Sequence, residues 1–215
     1  MFNLALTSTL LLPALALAAP TTSTNPTLST SKSIKLVANV LGSFDLSPSV
    51  NSYELNPFEL AGGDMCNNAL GLSPSGYGAL WRSEDGTLYT IQSGNGWAQK
   101  ITLNIQPGGS ATVPAARAIG VQCGAGGTEG VTVIPENGNG NPLLEYGRDT
   151  SGWMACPSDM LNANVPADEG AVVVGYRDAG QRILSGCAEV EFVAYCAEDD
   201  GSAPGAMELP CVVSA

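Results

Sequence analysis

The chain has 215 residues, 20 acids against 8 bases, a formal charge of −12 and no histidine. A surface of that sign repels nucleic acid and anionic lipid, so neither is an expected partner. Without histidine, Ser-His-Asp and Cys-His catalysis and every His-ligated zinc or copper site are excluded.

Met1–Ala18 reads as a secretion leader. Its apolar run Leu10–Leu17 is too short to span a bilayer, and Ala16-Leu17-Ala18 supplies the small residues of a cleavage site. The competing reading, a buried N-terminal element, is weaker because a polar stretch follows. Residues 19–33 are rich in Ser, Thr and Pro and read as a solvated spacer open to O-glycosylation. Asn25-Pro26-Thr27 is spoiled as an N-glycosylation acceptor by its proline. No later segment has the length of a membrane span, and the C-terminus lacks the hydrophobic tail of a lipid-anchor signal.

Residues 34–198 read as one all-β domain, with 199–215 as a C-terminal tail. Ser33–Val40 is β-branched and alternates imperfectly. Ala79–Ser83 and Thr87–Ile91 flank Glu84-Asp85-Gly86, a hairpin signature because Asp-Gly accepts the positive φ of a tight turn. Gln99–Ile105 places Ile101, Leu103 and Ile105 on one face. Further strands are expected at Gly130–Pro135, Leu143–Gly147, Trp153–Cys156, Ala171–Arg177 and Cys187–Cys196. In the last, Val190, Phe192 and Ala194 share an inward face, while Glu189, Glu191, Val193 and Tyr195 share the other. Short helical turns are expected at Ser158–Asn162 and Val113–Ala118. Short strands separated by turn clusters predict a compact antiparallel β-barrel or β-sandwich. The Val133–Tyr146 stretch echoes the Trp81–Tyr89 hairpin, which makes a β-trefoil-like barrel the alternative.

Cys66, Cys123, Cys156, Cys187, Cys196 and Cys211 are even in number behind a leader, so three disulfides are expected. Six cysteines allow 15 pairings; Cys156 with Cys187, joining two strand-like segments, is the one singled out. No C-x-x-C pair exists, so neither a metal site nor a redox motif is expected, and no cofactor is.

Carboxylate chemistry remains open to a chain without histidine. Glu145, Glu189 and Glu191 lie on expected strands and are the candidates for a glycosidase, although strand acids more often face water. Asp149-Thr150-Ser151-Gly152 is a single copy of an aspartic-peptidase-like loop without the apolar strand before it, and reads as a turn. Gly124–Gly127 lacks the Lys-Ser/Thr and helix of a phosphate loop. Tyr77, Trp81, Tyr89, Trp97, Tyr146 and Trp153 are the aromatics able to stack on sugar rings. Trp97, in the Gly-rich stretch Ser93–Gly96, is the candidate glycan contact, and Trp81, Tyr89 and Trp153 read as core. The expected catalytic set is empty.

One ordered set of features resembles a known family. It comprises the leader, the spacer, the Asp85-Gly86-Thr87-Leu88-Tyr89 hairpin, Gly152-Trp153-Met154-Ala155-Cys156-Pro157-Ser158, and Gly186-Cys187 before Val190-Glu191-Phe192. Together these are similar to the fungal cell-wall protein PhiA family, from about Val50 to Glu198 and most closely from Leu143 onward. The resemblance implies a secreted, wall-associated, non-enzymatic protein linked to spore-bearing cells and conidia. The expected function is therefore wall organisation, with wall polysaccharide as the partner. A secreted carboxylate-dependent hydrolase and an effector- or antigen-type binding protein are the alternatives. The oligomeric state is left open.

Overall fold

The computed structural model describes residues 26–63, 66–94, 97–124, 126–135, 140–147, 152–165 and 171–213, with only the backbone of Gly94 and Trp97. The leader and the Asp149–Ser151 turn lie outside these residues.

Among the described residues fourteen strands form one sheet. In chain order they are β1 (Leu28–Ser31), β2 (Ser33–Leu41), β3 (Glu54–Glu59), β4 (Asn67–Ser73), β5 (Trp81–Glu84), β6 (Thr87–Gly94), β7 (Trp97–Asn104), β8 (Gly120–Cys123), β9 (Val131–Ile134), β10 (Leu143–Tyr146), β11 (Gly152–Pro157), β12 (Val172–Arg177), β13 (Ala188–Ala197) and β14 (Leu209–Val212). Ser158–Leu161 forms a single 3-10 turn.

Of the barrel and the sandwich, the molecule is a barrel. From β2 the pairing runs through β13, β11, β12, β4, β8, β7, β6 and β5 and returns to β2, a closed circuit of nine strands. β3 joins β2 to β4 across this circuit. The pairs are antiparallel apart from β13 with β14. The longest ladder matches all of β2 to β13, from Ser33↔Ala197 to Leu41↔Glu189. Closure leaves no free edge on the ring, which removes the usual aggregation hazard of an open sheet.

The alternation expected from the sequence decides which side chains fill the interior. Ile34, Leu36 and Ala38 of β2 meet Val190, Phe192 and Ala194 of β13, with Ile101 and Leu103 of β7 in the same core. Each fully buried large apolar side chain contributes roughly 1.5–3 kcal/mol relative to exposure. Two indoles share this interior, and each indole N–H finds an acceptor. Trp81 Nε1 donates to Leu55 O at 3.2 Å, and Trp153 Nε1 to Leu144 O at 3.1 Å. The β5–β6 hairpin turns at Asp85 (φ 50°) and Gly86 (φ 75°), the positive-φ pair that Asp-Gly supplies. The echoed hairpin also forms, as β9 with β10, but off the closed circuit.

Three disulfides join Cys66 to Cys123, Cys156 to Cys187 and Cys196 to Cys211. They tie the start of β4 to the end of β8, β11 to the segment before β13, and β13 to β14. Each removes unfolded-state freedom worth about 3–4 kcal/mol in the chain-entropy model.

The sheet extends beyond the limits read from composition. Leu28–Ser31, placed in the spacer, pairs with Leu209–Val212, placed in the tail. Leu209, Cys211 and Val212 are buried, so this tail carries apolar cargo that its Ser/Gly/Pro content conceals. Val113–Ala118 forms no helical turn; Pro114 and Ala118 instead make isolated bridges to Gly109 and Gly175. Pro114 biases the preceding Val113 away from helical and towards extended backbone.

Candidate ligand-binding groove

The sequence-derived aromatics separate by burial. Trp81, Tyr89 and Trp153 are buried and serve packing. Tyr146 meets Tyr176 edge-on at 5.1 Å, and Tyr176 meets Trp153 at 5.6 Å, an aromatic ladder beside the core. Tyr77 is 76% exposed, the most exposed large apolar side chain among the described residues. The side chain of Trp97, the candidate glycan contact, lies outside the described residues.

The candidate carboxylates take separate partners. Glu189 is ion-paired with Arg177, and Glu191 accepts from Asn39 Nδ2 at 2.6 Å. Glu145 stands on β10, in the hairpin with β9. Gly124 and Gly126 line a hollow with Glu84, Asp85 and Glu129. Three acids beside the glycines repel phosphate, and Lys100 there is already paired with Glu84 at 2.5 Å. Among the described residues no group of three or more Cys, Asp or Glu is placed to hold a metal ion.

A larger open concavity than this hollow lies elsewhere, between β3, β4, β12 and the loops at either end of β3 and β4. It is an open groove of about 740 Å³ lined by Pro48, Tyr53, Pro57, Phe58 and Pro74, with Val50, Leu72 and Val172 behind them. Among the described residues Glu59 is the one ionised side chain on its wall.

Each wall has an identifiable support. The loop carrying Pro48 is organised by Asp45. Its carboxylate accepts from Leu46 N at 2.7 Å, Val50 N at 3.2 Å and Ser49 Oγ at 2.5 Å. Burial raises the Asp45 pKa, but the bonds from Ser49, Val50 and Leu46 outweigh it and hold the group below the ordinary carboxylate range. The turn carrying Pro74 and Tyr77 is organised by Glu54, whose carboxylate accepts from Gly78 N at 2.8 Å and from Lys35. Phe58 stands over Gly71 of β4, where a Cβ would fall 2.3 Å from the ring. Glycine at 71 is therefore what leaves room for the Phe58 ring against β4.

The groove thus presents apolar rings on a disulfide-stapled barrel and is open to solvent on one side. Tyr53, Phe58, Pro48 and Pro74 were not singled out from the sequence. They lie in 42–78, where no strand was expected. The signal present there was the clustering of Pro48, Pro57 and Pro74 with Tyr53, Phe58 and Tyr77.

No helix among the described residues is long and apolar enough to cross a membrane. No curated protein and no solved structure matches the chain. Residues 31–196, from the end of β1 to the end of β13, match the family model of DUF7907, a domain of unknown function, and the chain belongs to that family.

Proposed function

We propose that this is a secreted, non-enzymatic cell-wall protein that organises the wall by binding polysaccharide in the groove of Tyr53 and Phe58. Export is supported by the leader-like N-terminus and by three disulfides, which persist in oxidising compartments. The observation that carries the binding role is the groove lining. Half-buried Tyr53, Pro57 and Phe58 and exposed Pro48 and Pro74 present flat, rigid rings along about 740 Å³ of open concavity. The C–H faces of sugar rings pack on such surfaces while their hydroxyls stay in water. The resemblance to the PhiA family adds a setting, the wall of developing spore-bearing cells.

The test is retention of the secreted protein on insoluble chitin and β-glucan, compared with Phe58→Ala. Retention weakened about tenfold or more by that substitution supports the reading, since losing one stacked aromatic removes on the order of 0.5–1.5 kcal/mol in addition to its buried area. No retention on any wall polysaccharide defeats it. Release of soluble sugar that stops in Glu145→Gln, Glu189→Gln or Glu191→Gln assigns the protein to hydrolases instead.

A further inference from the structure

A second groove, of about 460 Å³, opens beside the first, and Pro57 and Gln92 line both. Its character is different. Asn56, Arg82, Ser93, Asp200 and Ser202 stand on its walls. Arg82 projects from β5 and is only 1% exposed. Its Nη2 donates to Asp200 Oδ1 at 2.7 Å, while its buried Nε has no acceptor among the described residues. Asp200 is 51% exposed at its side chain and accepts from Ser202 N at 2.8 Å.

A guanidinium is a fork of five donors, and burying one with a single carboxylate leaves hydrogen-bonding capacity unused. The charges already cancel within the pair. An anionic ligand would meet Asp200 and a net charge of −12, and a cationic one would meet Arg82. A hydroxyl suits both partners, because it donates to the carboxylate and accepts from the guanidinium at once. Adjacent hydroxyls on a sugar ring supply two such groups at fixed spacing.

We propose that the two grooves form one extended site for a neutral polysaccharide strand. Its rings lie on Tyr53, Phe58 and the prolines in the first half, and its hydroxyls bond to the Arg82–Asp200 pair in the second. This deepens the polysaccharide-binding reading above and rests on it. Pro57 and Gln92 form the sill over which the strand passes.

The experiment is calorimetric titration of the full chain with soluble β-glucan and chitin oligosaccharides of increasing length. Affinity is expected to rise with length until both grooves are filled, then level off. Ser93 is exposed on the rim of the polar groove, so Ser93→Trp plugs that half from outside without touching the core. It is expected to weaken long oligosaccharides at least tenfold and leave the shortest ones unchanged, while Phe58→Ala weakens every length. If Phe58→Ala weakens binding but Ser93→Trp changes nothing at any length, the extension is wrong and the first groove stands alone. If no neutral oligosaccharide binds, both readings fall. Preferential binding of an acidic polysaccharide or a proline-rich peptide overturns the neutral-sugar assignment.

Discussion

Lys35 Nζ lies 3.2 and 3.1 Å from the two carboxylate oxygens of Glu54, which is 5% exposed. The pair fastens β2 to β3 where the two strands meet, at Val37↔Glu54. One of those oxygens also accepts from Gly78 N, so the same carboxylate secures the turn that presents Tyr77.

That geometry sets an acid limit on the fold. Burial raises the Glu54 pKa, yet the N–H groups of Gly76 and Gly78 and the charge of Lys35 outweigh it and leave it below the ordinary value. A carboxyl whose folded pKa is depressed contributes stability above its unfolded pKa and loses it as pH falls through the folded one. Stability should be flat at neutral pH and decline below about pH 4.3, the ordinary glutamate value. Urea midpoints across pH 2–7 on the protein and on Glu54→Gln test this. The variant should start lower by about 1.5–3 kcal/mol, the range for hydrogen bonds to a charged group, because the stranded Lys35 is part-exposed and regains water. It should also lack part of the acid-dependent decline. An unchanged decline means that Glu54 is not a titrating contributor.

Gly71 and Phe58 make a sharper steric prediction. A Cβ at residue 71 would sit 2.3 and 2.4 Å from two ring carbons. Gly71→Ala must therefore push the Phe58 ring off the groove wall, and overpacking of this kind costs about 1–3 kcal/mol. Thermal unfolding should move down, and retention on polysaccharide should fall with it. Phe58→Ala in the same background should relieve the stability loss. If the double variant is no more stable than Gly71→Ala, the clash is not with Phe58.

The three disulfides differ in exposure and should differ in lability. Both Cys66 and Cys123 are partly exposed, whereas Cys156 and Cys187 are buried and Cys196 is bonded to the buried Cys211. Thiolate attack needs access to a sulfur. Under limiting reductant, alkylation followed by mass spectrometry should label Cys66 and Cys123 first, while the circular dichroism of the barrel persists. First labelling at Cys156 or Cys187 would contradict the burial seen here.

Much of the barrel was legible because its signals were local. Asp85-Gly86 announced a hairpin. Alternation in β7 and β13 named the buried faces, and Cys156 with Cys187 joined two readable segments. The groove was not legible, because its walls break the local rules. β3 carries Pro57 in its middle, which argues against a strand, yet Pro57 pairs with Leu70. β4 is buried along almost its whole length, so it shows no alternation, and Gly71 weakens its strand propensity. These violations are also what shape the site: the proline supplies a rigid surface and the glycine makes room for a ring. β1 and β14 escaped for a different reason. Four-residue strands gain their stability from a distant partner that no short window contains.

The C-terminal segment supplies the last and most severe test. After β13 the chain crosses β5 and β6, where Asp200 meets Arg82, Ala203 and Ala206 cover Tyr89, and Met207 N donates to Ser83 O at 2.9 Å. It then enters the sheet as β14 and is pinned by Cys196–Cys211. Ending the chain after Glu198 removes the charge partner of a buried guanidinium, a loss of about 3 kcal/mol at the low end for broken buried pairs. It also removes the buried Leu209 and Val212, each worth roughly 1.5–3 kcal/mol. Domains are stable by only about 5–15 kcal/mol, so those losses are a large fraction of the margin. The truncated chain should unfold far below the full-length protein in a thermal scan, and Arg82→Met should recover part of the loss by removing the stranded charge. A truncated chain with an unaltered transition would show that residues 199–215 are dispensable and that the barrel closes without them.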